Sequence, residues 1–318
     1  MKQIQREDIH IISRFGNLTE EGVSRALKEH VYNDRKAWLK FLRLFFISLG
    51  VGFTVSGIIF FFAYNWADLH KFAKIGLAEA LIIATTSLVL FLKVRPNIRN
   101  VILTGAAALV GVLFAVYGQI YQTGANAYDF FLAWTVFVTI WVIVSNFAPL
   151  WLLYIVLINT TFILYTQQVA NDWPEVLVFT LLFAMNTVLL VAAILLSRYK
   201  KAVQIPSWFF NVVTLASISY ATIGIIFDIF EWYQFAFPIL IPLTAMMFAL
   251  GIWYGLRTKN KFYLSAIPFS LIVIVSAWLI KISNDSAMLL FICLFIIASV
   301  TLVVKKIIEL HKKWTNER

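Results

Sequence analysis

Residues 61–80 read FFAYNWADLHKFAKIGLAEA: an apolar run that closes in Tyr64, Asn65 and Trp66, turns through Asp68 and His70, and becomes apolar again around Glu79. The apolar character continues on both sides, over about 44–63 and 75–92. Each run is close to the roughly 20 residues that a helix needs to cross a hydrocarbon core of about 30 Å. The stretch therefore reads as a turn between two membrane-spanning helices, with a carboxylate just inside the second. Strands do not fit: barrel strands alternate apolar and polar residues, and a bilayer has no water for unpaired backbone groups.

Eight further runs follow, at about 101–121, 130–147, 150–166, 176–196, 208–230, 235–256, 262–280 and 287–304. The expected fold is all-α, a polytopic transmembrane bundle of about ten spans behind a small N-terminal cytoplasmic helical hairpin. Composition agrees, since 61% of the 318 residues are hydrophobic and 13% charged, against about a quarter charged in soluble chains. The organisation reads as a cytoplasmic helical segment (1–40), a first membrane half (41–166), a second membrane half (167–304) and a basic cytoplasmic tail (305–318). The start is too long and too charged for a cleaved leader, so the first span is expected to remain.

The net charge of +10 falls in short clusters between the runs, which suits lipid headgroups and insertion topology better than nucleic acid. Arg35, Lys36, Lys40 and Arg43 precede the first run; Lys93, Arg95 and Arg99 follow the second; Arg198, Lys200 and Lys201 follow the sixth. Arg257, Lys259 and Lys261 follow the eighth, and Lys305, Lys306, Lys312 and Lys313 the tenth. The opposite connections hold Lys71, Lys74 and Lys281 among Asp68, Asp129, Asp172, Glu175, Asp228, Glu231 and Asp285. Both termini are thus expected in the cytoplasm. The turn at Asn146 to Pro149 has no basic residue, and Pro149 marks it as a tight hairpin.

In the N-terminal segment, Gly16 reads as a helix stop and Asn17 with Glu20 as a capping box. Ser48, Gly52 and Ser56 in the first span, and Ala107, Gly111 and Ala115 in the third, form small-residue stripes expected to let helices approach closely. Pro238, Pro242 and Pro268 are expected to kink the eighth and ninth spans. Glu79 is the one acidic residue read as lying well inside a span, and an unpaired carboxylate there is costly, so it is expected to face the bundle interior. It reads equally as a cation or proton site and as a helix–helix contact. Asn159, Thr160, Thr161, Asn186, Thr187 and Asn211 read as interhelical hydrogen-bonding groups.

No catalytic residue, cofactor or metal is expected. The four histidines are scattered without ligand spacing, Cys293 stands alone, and no nucleophile lies beside a base. The run from Gln119 through Tyr121 and Gln122 to Gly124 has no Lys-Ser or Lys-Thr to make a phosphate loop.

FFAYNW at 61–66 and GQIYQTGANAYDFFLAW at 118–134, in that order and behind a short helical segment, resemble the bacterial membrane-protein family catalogued as domain of unknown function 2157. The likeness covers about residues 10–166 and implies a multi-pass protein of the inner membrane, with no activity attached. Both motifs fall on the outer side, so Tyr64, Asn65, Trp66, Asp68, Glu79, Gln119, Tyr121, Gln122 and Asp129 are the candidate residues of an outer vestibule. The first reading of function is a transporter-like permease for a small solute or lipid, and the alternative is a non-catalytic accessory or partner-binding membrane subunit. The expected partners are the lipid bilayer and a protein partner or second copy. A polar cavity reaching Glu79 would favour the first.

Overall fold

A computed structural model describes the chain except residues 1–5, 17–18, 33–34, 66, 92–94, 122–123, 125, 200–204, 232–236, 284 and 317–318. The described residues form helices and no strand. Two short helices come first, α1 (Arg6–Phe15) and α2 (Glu20–His30). The long ones follow as α3 (Arg35–Tyr64), α4 (Lys71–Phe91), α5 (Pro96–Tyr121), α6 (Ala127–Ser145), α7 (Ala148–Gln168) and α8 (Glu175–Tyr199). α9 (Ser207–Glu231), α10 (Phe237–Thr258), α11 (Lys261–Ile282) and α12 (Ser286–Asn316) complete the chain. Among the described residues ten helices are long and apolar enough to cross a membrane, matching the ten runs.

The local signals explain most ends. α1 stops at Phe15, and the Gly16 N–H donates to the Ile12 carbonyl at 2.8 Å. α2 corrects the expected cap: Thr19 holds that position and its hydroxyl accepts from the Gly22 N–H, while Asn17 lies outside the described residues. Thr19 wins because it directly precedes the first helical residue, and a hydroxyl there reaches the third free N–H. Asn146 ends α6 in the left-handed region, at φ 45°, and Pro149 sits in the first turn of α7. The tight α6–α7 hairpin is therefore built from an Asn that tolerates positive φ and a Pro that needs no donor.

The chain divides into two compact units: residues 1–121 with 312–318, and residues 122–311. In the first, α3 and α4 each pack on α5. The α3 face turned inward is Leu44, Ile47, Val51, Val55, Ile58 and Phe62, a helical-period stripe of branched and aromatic residues. Val51 reaches Gly105 of α5, where an added Cβ would lie 2.5 Å from its Cγ1. The expected small-residue face of α3 is not the one used: Ser48, Gly52 and Ser56 are exposed, and nothing lies within 4 Å of a Cβ built on Gly52. On α5, Ala107 and Gly111 are buried as expected, but Ala115 is exposed.

In the second unit α9 is the central helix, in contact with α7, α8, α10 and α11, while α6 pairs with α7. Ala221 and Ile225 of α9 join Val176 and Phe183 of α8 and Leu240 of α10 in one apolar cluster. Gly224 makes that approach close, since a Cβ there would lie 2.9 Å from Phe179 Cβ and 3.0 Å from Leu240 Cδ2. Pro242 and Pro268 lie inside α10 and α11. Pro238 falls in the first turn of α10, where no helical bond is lost.

Two polar residues assigned to connections by sequence are instead buried in helices. Lys74 in α4 and Asp228 in α9 are each only 8% exposed. Both sit near helix ends, Lys74 in the first turn of α4 and Asp228 in the last turn of α9.

Candidate functional site

One end of the first unit gathers the end of α3, the start of α4 and the end of α5. Phe62, Ala78 and Val116 form a buried plug there, packed by Leu69, Ile75 and Ile120 among others. The two sequence motifs therefore share one apolar cluster, through Phe62 of the first and Ile120 of the second. Around the plug stand Tyr64 (90% exposed), Asp68, Gln119 and Tyr121. The Tyr117 and Tyr121 rings meet at a tilt of 41°, with centroids 4.5 Å apart. Asn65 is half-buried, and its side-chain amide donates to the Phe61 carbonyl at 2.9 Å, closing the end of α3. His70 opens α4 by accepting from the Ala73 and Lys74 N–H groups. Trp66 and Gln122 lie outside the described residues.

Glu79 departs from the expectation of an interior carboxylate. Its neighbours Ala78 and Lys74 are buried, four residues apart on the face that meets the plug, whereas Glu79 is exposed. At 100° per residue it is turned to the flank of that face. The cleft between α3, α4 and α5, about 330 Å3, is lined from α4 by Leu81 and Thr85 and does not include Glu79. Its hydroxyls bond their own helices, Thr54 to the Gly50 carbonyl and Thr85 to the Leu81 carbonyl, both at 2.7 Å.

Asp129 belongs to the second unit and caps α6, accepting the Asn126 N–H at 3.1 Å. The sequence signal was present as Asn-x-x-Asp ahead of an apolar run. Beside it the Tyr128 N–H donates to Gln168 Oε1 at 3.0 Å, and the Tyr128 ring meets Tyr165 edge-on. These contacts fasten the start of α6 to the end of α7.

Deeper in the second unit the polar residues mostly meet each other. Asn159 and Asn186 exchange two amide hydrogen bonds, 3.2 Å from Asn159 Nδ2 and 2.7 Å from Asn186 Nδ2. Each amide spends its other N–H on its own helix, at Ile155 and Leu182. All four donors are satisfied, as a dry interior requires. Thr222 and Ser270 join α9 to α11 at 2.6 Å, Thr214 donates to Tyr263 at 3.3 Å, and Thr139 meets Tyr154 at 3.1 Å. Thr187, Asn211, Ser217 and Thr244 each keep a buried side-chain oxygen without a hydrogen-bond partner.

Among the described residues no group of three or more His, Cys, Asp and Glu side chains is placed to hold a metal ion, and Cys293 is exposed. The polar chemistry of the spans is that of helix–helix ties, and the exposed polar rim belongs to the helix ends. No curated protein and no solved structure matches the chain. Residues 14–151, the first half of the chain and the part that carries both motifs and the plug, match the family model described as "Predicted membrane protein (DUF2157)", which makes this half a membrane region of unknown biochemical activity.

Proposed function

We propose that the chain is a multi-pass protein of the bacterial inner (cytoplasmic) membrane, with both termini in the cytoplasm, acting as a non-catalytic accessory subunit that docks a partner span on α3. The orientation rests on the basic clusters around Arg43, Arg95, Arg198, Arg257 and Lys305, which precede the first apolar run and follow the second, sixth, eighth and tenth. Attached to Asn260→Cys, a membrane-impermeant thiol reagent should label only after the cytoplasmic side is opened; labelling of intact cells would reverse the orientation.

The accessory role rests on one observation, the exposed Ser48, Gly52 and Ser56 stripe of α3. Small residues every four positions let two helix backbones approach closely in lipid, and this stripe meets no helix of its own unit. A second copy offers the same stripe and so the simplest complement. In a Cys293→Ser background, Gly52→Cys should form a disulfide-linked dimer on oxidation in native membranes, while Val51→Cys, turned toward α5, should not. Monomer at both positions would sink this reading.

A carrier is the second reading, favoured by the unpartnered buried oxygens of Asn211, Ser217 and Thr244 on α9 and α10, since such groups call for water. Solute flux in vesicles by the monomeric protein, lost in Asn211→Leu, would replace the accessory role with transport.

A further inference from the structure

Hydroxyls inside these spans commonly donate to a carbonyl of their own helix, as Thr54, Thr85, Thr135, Thr139, Thr180 and Ser276 do. Direct pairing is the other solution, used where Thr222 and Ser270 meet at 2.6 Å. Thr187 of α8, Ser217 of α9 and Thr244 of α10 do neither: each keeps a buried oxygen without a partner in the protein. Ser217 and Thr244 are only 4% and 3% exposed. A hydroxyl unpaired in a dry interior costs free energy that a bound partner recovers.

The packing brings the three to one level. Phe183 of α8, Ala221 of α9 and Leu240 of α10 belong to one buried cluster, and Thr187, Ser217 and Thr244 are each four residues from one of them, one turn along on the same helix face. α9 runs opposite to both neighbours: Gly224 approaches Phe179 and Leu240, while nearer its start Val213 packs with Leu190 and Ile218 with Phe248. Four residues forward on α8 and α10 and four back on α9 therefore step to the same side of the cluster. Since α8 and α10 are themselves in contact, the three hydroxyls converge on one level of a three-helix junction.

We infer that this junction is a binding site for one water molecule, held by the hydroxyls of Thr187, Ser217 and Thr244 and tying α8, α9 and α10 together. Each hydroxyl can donate or accept, and three of them match the roughly three hydrogen bonds that a buried water makes. A metal cation calls for carboxylates or about six oxygens, whereas the acids of these helices lie at their ends, Glu175 opening α8 and Asp228 and Glu231 closing α9. An organic solute would have to displace Phe183 or Leu240 from the cluster beside it. Thr187 is the middle residue of α8, a depth at which lipid supplies no hydrogen bond. The site requires neither the α3 docking surface nor transport.

Radiolytic footprinting of the full-length protein in lipid nanodiscs tests the site with water itself as the probe. X-rays split a bound water into hydroxyl radicals that oxidise the side chains beside it, while buried side chains in a dry interior stay unmodified. Phe183, 1% exposed and one turn from Thr187, is the reporter. Its ring should gain oxygen in the wild type and lose that modification when Thr187→Val, Ser217→Ala and Thr244→Val together remove the three hydroxyls. Should the triple variant not fold, Ser217→Ala alone should lower the modification. An unmodified Phe183 in the wild type would mean a dry junction and overturn the proposal. Equal modification in the wild type and a folded variant would mean water that arrives without these hydroxyls, and would overturn it as well.

Discussion

Asn186→Leu should destabilise the second unit by about 1–3 kcal/mol, and Asn159→Leu added to it should restore most of that loss. The expectation follows from the closure of the amide pair, in which every N–H has a partner. Leucine at 186 leaves no void, yet it orphans the Asn159 carbonyl oxygen and one of its N–H groups in an interior where Asn159 is 7% exposed. Leucine at both positions removes donors and acceptors together, and two apolar side chains of similar size pack in lipid at little cost. Unfolding in mixed micelles with increasing anionic detergent reads the cycle. Additive losses in the double variant would mean that the amides act separately and that the pair does not tie α7 to α8.

The ten spans were legible because bilayer crossing demands long apolar runs whatever their neighbours, and the turn at 61–80 followed from the polar residues between two of them. The α6–α7 hairpin was legible too, since Asn146 and Pro149 each act within their own few residues. Which face of a helix packs was not. Ser48, Gly52 and Ser56 have the spacing of a close-packing stripe, but Leu44, Ile47, Val51 and Val55 share the same helix and offer more apolar area to α5. Most residues of these helices are apolar enough to face lipid, so hydrophobic periodicity carries little orientation there.

Glu79 illustrates the same limit on the candidate site. Its cost in lipid argued for the interior, yet Ala78 occupies the packed position and one residue turns the carboxylate 100° away. Lys74 and Asp228 went the other way, because a charge near a span boundary looks like a loop residue when only hydropathy is read. The meeting of the two motifs was anticipated from their common outer side, but not the apolar plug through Phe62 and Ile120 that joins them. The pairing of Asn159 with Asn186 needed the register of α7 against α8, which no local pattern contains.

Gly224→Ala should destabilise the second unit by about 1–3 kcal/mol, even though alanine gains up to about 1 kcal/mol over glycine within a helix. The new methyl would lie 2.9 Å from Phe179 Cβ and 3.0 Å from Leu240 Cδ2. Leu240 Cδ2 is a side-chain end that can rotate; Phe179 Cβ moves only with its backbone, so α8 and α9 must separate. That separation loosens the cluster of Val176, Phe183, Ala221, Ile225 and Leu240, whose members are at most 5% exposed. Gly52→Ala is the matched control, since its Cβ meets nothing within 4 Å, and it should leave monomer stability unchanged or slightly raised. If α3 docks a second copy through that stripe, the same Gly52→Ala weakens dimerisation without touching the fold, so the two glycines separate cleanly when stability and association are both measured. Equal stability changes at the two positions would mean that α8, α9 and α10 do not meet at Gly224.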